Sequence, residues 1–390
     1  MLTGANGVTL PFYYRMSKKK ILHIIKSLGR GGAEMLLPET LKLHDQKKFE
    51  FHYIYFLPWK NQMVDEIERA GGKVTCFEAQ SNLKMLLRYQ DVASYCKKFE
   101  IDLIHAHLPW SGFLSRLVHR KTGIPLIYTE HNIQERYHFA TRKLNALTFN
   151  WQSKAIGVSK DVSRSIKQNI KQNIPVQTLL NGVNTEKFSR DHQAGNMIRK
   201  KFNIPQEVVV IGNLAVFREQ KDLVSWVKAF KIINKEFSNV YGLLVGAGPK
   251  EEEIKNLIRE NDLENRIVLP GLRTNTKDFF SAMDIFMMSS QFEGLPIALL
   301  EAMSSGCAVV STKAGGVVEV VRNEKEGLLS EVKDVQALAD NCMKLLIDSE
   351  RRKKFQYESR TRVIASFSLE IMVRELEKCY VDLINDEVKQ

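Results

Sequence analysis

The sequence predicts an α/β chain of two doubly wound domains, each a parallel sheet covered by helices on both faces, and three observations carry that prediction. Short β-branched runs alternate with amphipathic helical stretches from residue 20 onward. The runs are near-continuously apolar, as strands buried on both faces must be. The series also ends and starts again, with a polar stretch at 189–196 (SRDHQAGN) between a finished set of runs and a new one. Two series in succession mean two domains, which 390 residues accommodate at roughly 150 residues per domain.

In chain order, residues 1–15 (MLTGANGVTLPFYYR) lack a basic segment followed by an apolar core, so they make a poor signal peptide. Met16 opens a more usual start, and we expect 1–15 to be a disordered extension. A first domain follows over 16–189, with strands at 20–26, 51–57, 73–77, 102–106, 125–130, 154–158 and 177–180. Amphipathic stretches such as 61–71 and 83–99 supply its helices. The second domain, 190–368, places strands at 207–213, 240–246, 266–269, 284–289, 307–311 and 327–329. From about 333 the pattern is almost wholly helical, and the last segment, 369–390, follows a Ser368 cap. It is too amphipathic for a free tail.

Composition bounds the function. With 44% hydrophobic and 26% charged residues the chain reads as globular. No apolar run approaches the ~20 residues of a membrane-spanning helix. The five cysteines (Cys76, Cys96, Cys307, Cys342, Cys379) are far apart, with no Cys-x-x-Cys. That speaks against a disulfide framework or a cysteine zinc site and for a reducing, cytoplasmic setting. The net charge of +12 sits almost entirely in residues 16–190, whose balance is +13, against −2 for 191–390. Such asymmetry points to an anionic neighbour or to solvated surface. No nucleic-acid module is legible, so nucleic acid is not expected as a partner.

Four places carry chemistry. Gly29-Arg30-Gly31-Gly32-Ala33-Glu34 follows the first strand, where glycines let a backbone approach a ligand and helix N–H groups favour an anion. It is not the Gly-x-Gly-x-x-Gly of a dinucleotide site, since position 34 is Glu. Gly246-Ala247-Gly248-Pro249 repeats the strand–glycine–helix pattern, with proline read into the first helical turn. Glu293-Gly294-Leu295-Pro296 leads into a helix that carries Glu301 in its second turn. The helix start suits a diphosphate, and a carboxylate at 301 suits a ribose diol. Arg218 and Lys221, after the strand 207–213, are cations able to neutralise a leaving diphosphate. Taken singly, each has a bland reading as turn, cap or solvated surface.

Taken in order, these segments resemble the retaining glycosyltransferases of family 4, the glycosyl transferase group 1 enzymes of the GT-B fold. The resemblance rests on GGAE (31–34), GVS (157–159), Asn181-Gly182-Val183-Asn184 with Phe188, VGAGP (245–249) and LPG (269–271). It continues through Asp284, the glutamate pair 293 and 301, Gly306, and Gly315-Gly316 with Glu319. It implies two Rossmann-like domains facing across a cleft, with the last helix crossing back to the first domain. It also implies roles: Glu301 on the ribose, Glu293 on the donor sugar, Lys221 on the diphosphate. Gly294, Leu295 and Pro296 would cradle the phosphates, Leu272 and Arg273 lie near the base, and Gly31 and Gly32 border donor and acceptor from the opposite domain. His131, in TEHN, matches the histidine facing the donor sugar, whereas His107 in HAHLP reads as structural. One departure matters: many relatives have an arginine five residues before the lysine, and here that position is Val216. We read Arg218 as its replacement.

The resemblance implies transfer with retained configuration from a nucleotide sugar, a UDP-sugar being the commonest, to a glycan or lipid-linked glycan in cell-surface polysaccharide synthesis. His131, Glu293, Lys221 and Arg218 would carry the catalysis. No Asp-x-Asp occurs, consistent with no metal and no resident cofactor. Basic and aromatic residues mixed over 136–154 suit an anionic membrane surface, hence a cytoplasmic enzyme peripheral to the membrane. Rival readings are an epimerase sharing the architecture, or a binding subunit without activity.

Overall fold

The computed structural model describes residues 18–387, so the extension expected over 1–15 lies outside the described residues. A first parallel sheet contains β1 (Lys19–Ile24), β2 (Phe49–Tyr55), β3 (Lys73–Cys76), β4 (Leu103–His107), β5 (Leu126–Glu130), β6 (Lys154–Gly157) and β7 (Val176–Thr178), in the order β3-β2-β1-β4-β5-β6-β7. A second contains β8 (Val209–Leu214), β9 (Val240–Val245), β10 (Ile267–Gly271), β11 (Ile285–Met288), β12 (Ala308–Thr312) and β13 (Gly327–Ser330), in the order β10-β9-β8-β11-β12-β13. Each expected strand run holds a strand. Central strands such as β4, β5, β11 and β12 are buried along their whole length, which is why their sequences do not alternate.

The strand orders fix where a ligand can bind. In each sheet the chain winds one way from the first strand and then the other: β1 lies between β2 and β4, and β8 between β9 and β11. At such a switch point the loops leaving the two central strands diverge and open a crevice at the carboxyl edge.

The polar link is shorter than its composition predicts. Asp191 accepts from the Ala194 N–H at 3.0 Å and starts the helix His192–Lys201, so only the first residues of 189–196 connect. At the other end, Ser368 bridges to Val183 and precedes the helix Leu369–Glu387, which lies on the first sheet's domain. Its Tyr380 hydroxyl meets His105 Nδ1 at 2.8 Å, and its Glu377 carboxylate accepts from the Asp45 N–H at 2.7 Å. Leu376, Cys379, Tyr380 and Ile384 bury with Ile21, Phe49 and Phe51 in one apolar cluster. Among the described residues no helix is long and apolar enough to cross a membrane.

Candidate functional site

The loops leaving β8 and β11 bring the second domain's cations and carboxylates together. After β8 the chain runs through Ala215–Phe217 to Arg218, makes a single 3-10 turn (Glu219–Lys221), and enters the helix Leu223–Glu236. The loop after β9 backs this path: Ala215 N–H donates to Val245 O and Phe217 N–H to Ala247 O, each at 3.0 Å. Gly246 has φ +138°, and a Cβ there would stand 1.9 Å from Ala215 O, so only glycine fits. The glycine segment 246–249 therefore supports the cationic loop. Pro249 precedes the helix Glu251–Glu260 by two residues and is not in its first turn.

Lys221 Nζ donates to Glu293 Oε1 at 2.6 Å, and the Ser290 hydroxyl donates to the same oxygen at 2.7 Å. Glu293 is buried, whereas Arg218 and Val216 are both exposed. The Glu293 loop ends at Pro296, which stands just before the helix Ile297–Ser304. Among the described residues no side chain caps that terminus, so its leading N–H groups remain for a ligand. Glu301 lies in the second turn, 5% exposed. Burial pushes its carboxyl up to about 8, against the pull of Lys187 and with the push of Glu39.

The first domain meets this loop closely. A Cβ on Gly294 would lie 2.5 Å from the His131 carbonyl oxygen, and one on Gly32 would lie 3.8 Å from Ile297 Cγ1. Arg136 stacks over Phe292 at 3.9 Å from the ring centre. Glu319 reaches the other way and accepts from the N–H groups of Lys160 and Asp161 at 2.9 and 3.1 Å, at the start of the helix Lys160–Asn169.

His131 follows β5. Among the described residues its Nε2 is enclosed without a partner, and burial lowers its pKa to about 4, so the imidazole is neutral near pH 7. The turn that presents it is built by Glu130, which accepts from the His131 and Asn132 N–H groups at 3.0 and 3.3 Å and from Tyr128, Gln134 and Tyr137. Gly31 precedes the helix Gly32–Leu41, again with no side-chain cap. Leu272 and Arg273 sit apart, exposed after the edge strand β10, and join the loops through Gly271 O, which accepts from Gly246 N–H at 3.1 Å.

Among the described residues, His23, His105 and His107 form a grouping with the donor type of a metal site, their ligand atoms within 4.8 Å of one another. The rings bond to protein instead. His23 Nδ1 meets His107 Nε2 at 2.9 Å, and His105 uses both nitrogens, on Tyr380 (2.8 Å) and Thr129 (2.7 Å). Burial holds His105 near pKa 3 and the other two well below the usual histidine range. His107 is thus a buried, neutral ring within this grouping.

Sequence reasoning missed Glu130 and the contact of Glu319 with the first domain, and it counted Arg136 in the membrane-facing stretch 136–154, whereas Arg136 stacks on Phe292 of the second domain. The first carried a signal, a glutamate at the end of a wholly apolar strand. The pairing of Arg136 with Phe292 carried none.

Comparison with known proteins follows the same division. Residues 30–187 match the model of Glycosyltransferase Family 4, and 196–362 match that of Glycosyl transferases group 1. The UDP-Gal:alpha-D-GlcNAc-diphosphoundecaprenol alpha-1,3-galactosyltransferase of Escherichia coli is 23% identical over 94% of this chain and 98% of its own length. The N-acetyl-alpha-D-glucosaminyl L-malate synthase of Bacillus anthracis is 29% identical over 54% of this chain and 55% of its own. Among solved structures, Anabaena HepE in complex with UDP-glucose superposes with a TM-score of 0.84 at 20% identity, covering 93% of this chain and 99% of that one. A glycosyltransferase from Rickettsia africae ESF-5 gives 0.81 at 22%, covering 94% and 99%. At those identities the structural likeness is one of fold.

Proposed function

The chain is a glycosyltransferase of the family 4, group 1 type, and on that premise we propose that it moves a sugar, with retained configuration and without a metal, from a UDP-sugar to a glycan or lipid-linked glycan acceptor. The observation that carries this reading is the Lys221–Glu293 pair in front of the uncapped helix that buries Glu301.

In this reading the nucleotide lies along the carboxyl edge of the second sheet. The ribose diol donates to Glu301, which stands buried with no strong cation against it. The diphosphate takes the N–H groups of Gly294, Leu295 and Ile297 and draws Lys221, with Arg218 completing the charge where Val216 offers none. Glu293 then turns to the donor sugar, and Leu272 and Arg273 flank the base. As the sugar–phosphate bond breaks, charge gathers on the diphosphate, and preorganised donors of this kind contribute about 10²–10³ in rate each. The acceptor hydroxyl attacks the face that the diphosphate leaves, beside Gly31, Gly32 and the neutral His131. Closure of the domains excludes water that would otherwise hydrolyse the donor.

The named acceptor of the Escherichia coli relative is lipid-linked, and this supports a similar acceptor here and action at a membrane face. The helix Phe139–Thr148 supports it too, since Phe139, Arg142, Lys143 and Leu147 are all exposed on it. Anionic liposomes should float the protein at low salt and release it as salt rises.

A panel of nucleotide sugars, read by thermal shift and nucleotide release, tests the donor assignment. UDP-sugars should raise the melting temperature and release UDP only when acceptor is present. A donor sugar altered without acceptor would point to an epimerase instead, and no response to any nucleotide would remove the reading.

A further inference from the structure

Two cations at the lip of the first sheet have no part in the donor contacts above. Lys26 follows β1 and Lys60 follows the neighbouring β2, so both stand at the carboxyl edge that faces the cleft. Lys26 Nζ donates to Asn82 Oδ1 at 2.7 Å. Lys60 runs beside Gly29, where an added Cβ would lie 3.7 Å from Lys60 Cβ and 3.8 Å from its Cδ. Among the described residues neither ammonium forms an ion pair. Glu34, on which Lys60 and Arg218 both act, accepts from the Ser27 hydroxyl at 3.1 Å, and its own burial disfavours its charge. Burial, and then Lys60, lowers the pKa of Lys26. Two like charges at the ends of neighbouring strands, one of them partly desolvated, repel each other, and an anion between them relieves that repulsion.

Exposed apolar side chains lie close to the pair in the chain. Asn82 opens the helix Asn82–Leu87, on which Leu83 and Leu87 lie four residues apart on one face, 69% and 67% exposed. Trp59, next to Lys60, is 56% exposed. The glycine loop against which Lys60 packs continues to Gly32, which adjoins Ile297 at the start of the donor helix.

We propose that Lys26, Lys60 and Asn82 bind the phosphate or diphosphate ester of an amphiphilic acceptor, whose hydrocarbon chain leaves over Leu83, Leu87 and Trp59. The proposal rests on the glycosyl-transfer reading for its purpose, since it puts the acceptor's anionic end one loop away from the donor. The cations complement the ester and the exposed leucines its tail.

The test is binding of farnesyl diphosphate, inorganic pyrophosphate and farnesol to the full chain, by calorimetry with the donor site saturated by UDP. Farnesyl diphosphate should bind most tightly. The double variant K26M/K60M should weaken it about 10–100-fold, as loss of charged hydrogen bonds implies, and Leu83→Ser with Leu87→Ser should weaken it while leaving pyrophosphate unchanged. UDP affinity, measured separately in each variant, reports whether the fold survives. Unchanged farnesyl diphosphate binding in K26M/K60M would overturn the proposal, as would equal binding of a farnesyl carboxylate and the diphosphate. If leucine substitution abolished only liposome flotation, those leucines would hold a membrane and the tail assignment would fall. Absence of UDP binding in the unmodified protein would instead remove the donor reading, with the calorimetry still able to judge the anion site.

Discussion

Lys221 and Glu293, seventy-two residues apart, are joined by a 2.6 Å ion pair between the loops that leave the two central strands of the second sheet. The pair is partly buried, so each charge depends on the other until a stronger anion arrives. A diphosphate at the adjoining helix start is such an anion. Lys221→Ala should therefore cut kcat by about 10²–10³ while the protein stays folded. Single-turnover nucleotide release measures this, and a loss confined to KM would place Lys221 in ground-state binding alone.

Glu301 gives a pH prediction. Its folded carboxyl sits near 8 because it is buried, above its unfolded value. The group therefore costs no stability below about pH 4.5, costs progressively more as pH rises toward 8, and costs a constant amount above that. Glu301→Gln should raise the melting temperature at pH 8 relative to pH 5. The ionised form accepts from a diol, so UDP affinity should rise by up to about tenfold per unit below pH 8. Calorimetry from pH 6 to 9 checks both, and in Glu301→Gln the affinity should be low and flat.

Gly294 fits where it does because it has no side chain. With Cβ only 2.5 Å from the His131 oxygen, Gly294→Ala cannot keep the approach of the two domains. The expected result is a near-normal melting temperature with turnover lowered tenfold or more, since a misplacement of ~1 Å is enough to cost that much.

Glu319 caps a helix that belongs to the other domain. Replacing a cap costs about 1 kcal/mol, roughly fivefold in an equilibrium. Here that equilibrium is between closed and open domains. Glu319→Ala should leave each domain folded and shift small-angle scattering toward a longer particle. Acceptor-free donor hydrolysis should rise with it.

The fold was legible because its signals are local. A run such as Ile285–Met288, buried on both sides, has to be apolar wherever its partners come from. Glu293 and Glu301 were legible as a spacing around a helix start. Glu130, Arg136 and Lys26 were not, since each takes its meaning from a partner or an enclosure that only the folded chain supplies. Arg136 meets Phe292 across the cleft, and Lys26 meets Asn82 across the sheet edge. The link at 189–196 read too long for a different reason. Asp191 is a helix cap, and its polar side chain resembles a linker residue until the helix behind it is seen.

A crystal structure with UDP bound is the most direct test of the donor site. The diphosphate should lie on the N–H groups of Gly294, Leu295 and Ile297, the ribose on Glu301, and Lys221 should have left Glu293 for a phosphate oxygen. UDP found elsewhere, with the Lys221–Glu293 pair still closed, would contradict the account.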